Sequence, residues 1–326
     1  MSERPRLAKA PYRLRDELSR QVVAGVSCPL GVHPCEPAAV LVEGYEWRFL
    51  PGSEDFDDQC EYRVVLSTDR VKAVFEAFLD ELLADEVYAL YEEASYDAFR
   101  ESDAYRSRET VPRERFRQAW DTYGRFFIED GKCGFGVLAY DPSIEVFIEE
   151  HGVIYVACGL ELRARVEDVL ERQGVPERQE LRSIENFEHQ HRDILDVESG
   201  AGGMDELDIK FSIIESLSMD IVNPDENSPP GPCPFWAYVE LDLSFVRKIG
   251  FDLGCMSFGL TAKSHDQAVS IVEDAVLEQL PDALVVRFVQ LYRMVPEDIT
   301  DEIAPADRTA IAQLGTWYVS DPEFWR

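Results

Sequence analysis

Basic charge is what this chain has least of: 32 Lys and Arg stand against 64 Asp and Glu, leaving a net charge of −32. Repulsion between so many carboxylates and a polyanion excludes nonspecific binding to nucleic acid and disfavours anionic membranes. Only six of the basic residues are Lys and 26 are Arg, a bias expected of a GC-rich genome or a salt-adapted, bacterial-type cytoplasm. Long apolar runs are missing too, since nothing approaches the roughly 18 residues that a membrane-spanning helix needs. The apolar segment from Val22 to Val32 follows Asp16 and Glu17, too far into the chain for a secretion signal. The expectation is a cytoplasmic protein that neither enters a membrane nor binds nucleic acid. Seven cysteines form an odd set without regular spacing, and Cys158 lies inside the apolar run Val-Ile-Tyr-Val-Ala-Cys, which argues against a disulfide framework.

What is present is core material. Hydrophobic residues make up 45% of the 326 and aromatics 11%, so the chain folds and carries its acid on the surface. Residues 11–26 read as an amphipathic helix with Leu14, Leu18 and Val22 on one stripe. Strands are expected around Val40 to Phe49 and Tyr62 to Leu66. A helix follows Thr68, with Val71, Val74, Phe75, Phe78, Leu79 and Leu82 at helical spacing. A second set runs through strands at 135–140, 144–149 and 153–158, with a turn at Glu150-His151-Gly152, and then a helix closed by Gly174. A third set runs from Trp236 to Leu243, from Met256 to Leu260, and into a helix capped by Ser264. Pro112 opens a further helix carrying Phe116, Trp120, Tyr123 and Phe127, and five prolines between Asn223 and Pro234 mark a loop. The fold class is therefore α+β: antiparallel sheets covered by helices, built from about three strand-strand-helix units in two lobes. The boundaries follow the glycines: 1–198, a linker at 199–205, and 206–326.

Chemistry is sparse. His189, His191 and Asp193 share one face if the segment is a strand, and Glu185, His189 and Asp193 do so on a helix, so either geometry offers three metal ligands. Cys28, His33 and Cys35 cluster within eight residues, and Cys60 could complete a zinc set, although the spacing is not that of a zinc knuckle. Asn223, Asp225 and Asn227 imitate the start of a calcium loop, which fails at Ser228 and Pro234. The glycines from Gly131 to Gly136 lead into a strand rather than a helix, and Gly200 to Gly203 lack a following Lys-Ser or Lys-Thr, so neither is a nucleotide loop. Cys255 to Gly259 has its first glycine one place too early for a nucleophile elbow. Six Arg between Arg100 and Arg117 form a locally positive island, read as a solvated helix start paired with neighbouring acids.

Two functions emerge. The first is a non-enzymatic acidic binding or regulatory protein that engages a basic protein partner. Its surface would be the loop Asp55, Phe56, Asp57 and Asp58, with Glu54 and Trp47 beside it, or the loop Asp225-Glu226 beside Phe235 and Trp236. The second is a metal-dependent hydrolase using His189, His191 and Asp193, with a divalent metal as its only cofactor.

Overall fold

In the computed structural model the described residues are 10–36, 39–53, 57–197, 203–244, 253–281, 283–305 and 308–325. The chain is mixed α+β with antiparallel sheets, and it divides into two compact units, residues 1–94 with 104–222 and residues 95–103 with 223–326. Among the described residues no helix is long and apolar enough to cross a membrane.

The first unit runs β1 (Val22–Val23), β2 (Val26–Ser27), β3 (Val32–Pro34), β4 (Gly44–Leu50), β5 (Gln59–Val65), α1 (Thr68–Leu82), β6 (Glu86–Ala94), β7 (Ser102–Ser107) and β8 (Val111–Pro112). It continues with α2 (Arg113–Asp130), β9 (Cys133–Tyr140), β10 (Ser143–Ile148), β11 (Ile154–Gly159), α3 (Arg163–Arg172), β12 (His189–His191), α4 (Glu206–Leu217) and β13 (Met219–Ile221). Nine strands form one sheet in the order β13-β7-β6-β9-β10-β11-β5-β4, with β8 beside β6. Alternation in β5, β6 and β10 sends every second side chain inward, and helices α1, α2 and α3 bury their apolar stripes with them in one core. Phe135 stacks between Phe116 and Phe127, with ring centroids 4.9 and 4.4 Å apart, so the aromatic side of α2 fills core.

Two expectations change here. Residues 11–26 do not form a helix. Tyr12 and Leu14 are buried in extended chain that bridges Leu14 to Leu195, and Arg15 N–H donates to the Ile194 carbonyl at 2.9 Å. Those tertiary partners outweigh a weak helical period. The division between units lies at 222/223 instead of near the glycines, because α4 buries Ile209, Ile213 and Leu217 in the first core and β13 pairs with β7. Of the expected linker, residues 199–202 lie outside the described residues.

The second unit is a sheet of β14 (Cys233–Asp242), β15 (Leu253–Ala262), β16 (Leu284–Arg293), β17 (Gly315–Val319) and β18 (Glu323–Trp325), ordered β16-β14-β15-β17 with β18 also on β15. Helix α5 (His265–Gln279) covers one face through Ala268, Val272 and Val276. The aromatic tail docks on its own unit: the Trp317 ring fills the space a Cβ on Gly259 would need, and Tyr318 stacks on Trp236 at 5.6 Å. The fully buried Arg293 donates to Asp97 at 2.8 Å and to the Glu226 carbonyl at 3.1 Å, satisfying a charge that would otherwise be stranded.

Two positions at the end of α2 carry testable consequences. Gly31 N–H donates to the Glu129 carbonyl at 2.7 Å, and a Cβ on Gly31 would lie 1.7 Å from the Asp130 carbonyl oxygen. Gly31→Ala therefore forces two backbones apart and should destabilise the first unit by more than about 2 kcal/mol, measured by urea unfolding. An unchanged midpoint would contradict that close approach. Asp130 is buried, and its Oδ1 has no hydrogen-bond partner. Burial, reinforced by the Glu206 charge and opposed by Lys132, pushes its pKa up to about 7. The native state thus holds a proton that the unfolded chain releases near pH 4, so stability falls as pH rises from about 4 through 7. Asp130→Asn should be more stable than wild type at pH 8 by on the order of 3 kcal/mol, with the gap closing below pH 5. Equal pH dependence of the two proteins would refute this assignment.

Candidate metal centre

The residues His189-Gln190-His191 are a strand, β12, paired antiparallel with β3 in the register His189 to Pro34, Gln190 to His33 and His191 to Val32. Period-two alternation puts His189 and His191 on one side of this ribbon, with Gln190 and His33 on the other. The ribbon is held at both ends. Cys35 N–H donates to the Glu188 carbonyl and Arg192 N–H to the Gly31 carbonyl, each at 2.9 Å, and the Arg192 side chain donates to the carbonyls of Leu30 and Ser19.

The third participant comes from the turn between β10 and β11. Ile148 pairs with Ile154, Glu149 N–H donates to the Val153 carbonyl at 2.8 Å, and the chain reverses with both His151 (φ 70°, ψ 2°) and Gly152 (φ 77°) in the left-handed region. Glycine adopts that region freely. Histidine there carries a cost of order 1 kcal/mol, a kind of strain that concentrates at functional sites.

The three imidazoles converge. His151 Nε2 lies 3.0 Å from His189 Nε2 and 3.4 Å from His191 Nε2, and one ligand atom from each ring falls within 4.8 Å of the others. A tetrahedral ion with metal–nitrogen bonds of 2.0–2.1 Å sets its nitrogens about 3.3 Å apart, close to the spacing of these contacts. His189 Nδ1 is 2.8 Å from the Phe187 carbonyl, which can only accept, so Nδ1 carries the proton and Nε2 presents a lone pair. Burial, together with the neighbouring His151, His189 and Lys132, lowers the His191 pKa to about 4, leaving that ring neutral at pH 7. His151 is buried, His189 half-buried and His191 exposed, so the cluster opens to solvent on one side. Among the described residues this is the one place where three His, Cys, Asp or Glu converge in this way.

The structure distributes the remaining candidates elsewhere. Asp193 is not among the converging groups, its carboxylate lying 2.6 Å from Lys132 Nζ, which also contacts Glu206 at 3.0 Å. Cys28 is buried with Val26, Val32, Leu41 and Ile184, and burial raises its thiol to about 11. His33 is exposed on the far side of the ribbon, Cys35 Sγ contacts only its neighbour's carbonyl, and Cys60 is a core residue opposite Cys158, so no zinc set forms among them. Of the acidic loop, Glu54, Asp55 and Phe56 lie outside the described residues. Asp57 and Asp58 are exposed, with Asp58 accepting from Gly52 N–H at 2.7 Å. Trp47 stacks under the Arg163 guanidinium at 3.8 Å, and Asp225 accepts from His265 N–H at the start of α5. The arginine island is largely paired within the fold: Arg108 holds Asp220 in two bonds, Arg117 binds Asp80, and Arg100 is buried beside Asp103.

Sequence reasoning missed His151. Its one signal was scarcity, since with only five histidines in 326 residues a His in a tight turn merits pairing with a His-x-His segment. No family model, characterised protein or solved structure matches this chain. Because Asp193 is held by an exposed ion pair worth about 0–1 kcal/mol, Asp193→Ala should change zinc affinity by less than about fivefold in equilibrium dialysis. A loss of a hundredfold or more would return Asp193 to the ligand set.

Proposed function

We propose that this is a metalloprotein whose centre is His151, His189 and His191, holding a divalent transition ion of the zinc type. The observation that carries the proposal is the facing of three ring nitrogens across 3.0 and 3.4 Å. The His189 tautomer fixed by Phe187 leaves a lone pair aimed at His151 Nε2. If His151 answers with an Nε2 proton in its neutral form, its buried Nδ1 becomes a lone pair beside two carboxylates, Glu185 at 3.7 Å and Glu150 at 4.0 Å. If Nδ1 carries the proton, lone pairs face each other at the centre. A doubly protonated ring offers one N–H to two acceptors. A metal ion satisfies all three nitrogens at once, and an all-imidazole set suits zinc, copper, nickel or cobalt over magnesium or calcium.

Three protein ligands on a side open to solvent leave the fourth tetrahedral position to water, the arrangement of catalytic rather than structural zinc. A metal-bound water with its pKa brought down to about 7 is a nucleophile at neutral pH, which supports the metal-dependent hydrolase reading, with His151 in the place given to Asp193. The other reading, an acidic surface engaging a basic protein, rests on the net charge alone. The recurrence of strand-strand-helix, in β4-β5-α1, in β10-β11-α3 and in β14-β15-α5, supports a proposal that the fold is assembled from related units.

Zinc or cobalt added to metal-free protein should bind at one equivalent per chain and raise the melting temperature with ion concentration, by about 2.7 kcal/mol of stability at a hundred times Kd. His151→Ala, His189→Ala and His191→Ala should each weaken binding at least a hundredfold while keeping the circular dichroism of wild type. Substoichiometric binding by wild type, or full affinity in His151→Ala, would overturn the assignment. Hydrolysis of activated carboxylic and phosphate esters by the zinc-loaded protein, lost on chelation, tests the catalytic reading separately.

A further inference from the structure

Resting on that centre, we infer that Glu185 is the positioning carboxylate of His151, fixing which ring nitrogen faces the metal. Glu185 Oε1 is 3.7 Å from His151 Nδ1, and that nitrogen is buried without a hydrogen bond. Closing that gap by less than 1 Å brings the pair to hydrogen-bonding distance. Metal-ligating imidazoles characteristically donate their second N–H to a carboxylate or carbonyl, which sets the tautomer and strengthens the ligand. His189 already has such a partner in the Phe187 carbonyl at 2.8 Å. For His151 two carboxylates are in range, and they differ in how they are held.

Glu185 is fixed from behind. Its Oε2 accepts from the Arg63 guanidinium and from the Ser183 hydroxyl at 3.2 Å, and Arg63 also donates to Ser183 Oγ at 2.6 Å. Ser183 and Asn186 close a capping box around the short helix that carries Glu185. Arg63 comes from the middle of β5, so the carboxylate is referenced to the main sheet. Glu150 Oε1 is 4.0 Å from the same nitrogen, on a side chain 52% exposed against 32% for Glu185. An exposed, unanchored carboxylate contributes charge but little orientation. Glu185 therefore acts through geometry, and Glu150 acts at most through its field.

The test uses the full-length protein and cobalt or zinc as probe. Glu185→Ala should raise the metal Kd by about 10–100-fold, the size of effect outer partners have, and should alter the visible spectrum of bound cobalt. Glu185→Gln, which keeps an acceptor oxygen for the Nδ1 proton, should recover most of that loss. Glu150→Ala should stay within about threefold of wild type. In metal-free protein, nitrogen-15 spectra should show the Nδ1-protonated tautomer of His151 in wild type and a tautomer mixture in Glu185→Ala. Wild-type affinity and spectrum in Glu185→Ala, given a wild type that binds metal, would overturn the role of Glu185 and leave the three-histidine centre standing. A wild type that binds no metal would overturn the centre, and an unchanged His151 tautomer in Glu185→Ala would then overturn the positioning role on its own terms.

Discussion

The last residues of α2 are the constraint on which the centre depends. Glu129 is 2% exposed, and its carboxylate accepts from Leu30 N–H at 3.1 Å and from the Arg20 guanidinium, while its carbonyl accepts from Gly31 N–H. A charge this deeply buried is tolerated only when each lone pair finds a donor. Two of those donors, Leu30 and Gly31, are the entry to β3, so satisfying Glu129 places β3 and hence the partner strand that bears His189 and His191. The turn bearing His151 meets the same helix end: a Cβ on Gly152 would lie 3.9 Å from the Ile128 carbonyl and 3.5 Å from Pro29. Two segments distant in sequence are thus referenced to one rigid helix terminus, which is how ring nitrogens can be held to a few tenths of an ångström.

The charges near the cluster bear on the protonation of its rings. Carboxylates beside an imidazole ordinarily favour its charged form. Near the cluster Asp193 is held by Lys132, and Glu185 keeps one oxygen on Arg63 while the other faces His151 Nδ1 at 3.7 Å. The basic residues are few, and several are spent here. His191, its pKa lowered to about 4, stands neutral at pH 7, the protonation state a metal ligand needs.

Much of the architecture was legible because it follows local rules. The stripe of α1 and the alternation from Val239 to Leu243 are periodicities that a core imposes directly on sequence, and both elements formed where expected. Strand β6, in which Val87, Ala89 and Tyr91 are buried, went unread because its short alternation sits among acids without flanking turn residues. The helix expected at 11–26 failed for the opposite reason, a plausible period overridden by pairing with residues 194–196. Two of the three histidines were readable, since alternation in any strand puts His189 and His191 together. The other ligand was not, because a contact between a turn at 151 and a ribbon at 189–191 is set by the sheet and by α2, and neither segment records the other's position. Asp193 fitted the alternation equally well, but Lys132, unforeseeable from spacing, captures it.

Native chains agree with their local preferences nearly everywhere, and departures from that agreement concentrate where function demands them. Three departures meet at one point here. A non-glycine residue occupies a left-handed turn, its buried Nδ1 goes without a hydrogen bond, and its Nε2 faces two further ring nitrogens at 3.0 and 3.4 Å. The first two are unfavourable, and all three concern His151. Replacing it by Gly in a purely structural turn would relieve both costs while keeping the positive φ that the reversal requires. A residue that strains its own turn is explained by what the turn presents, and what it presents is a third ring nitrogen beside those of His189 and His191, the geometry on which the proposed metal centre rests.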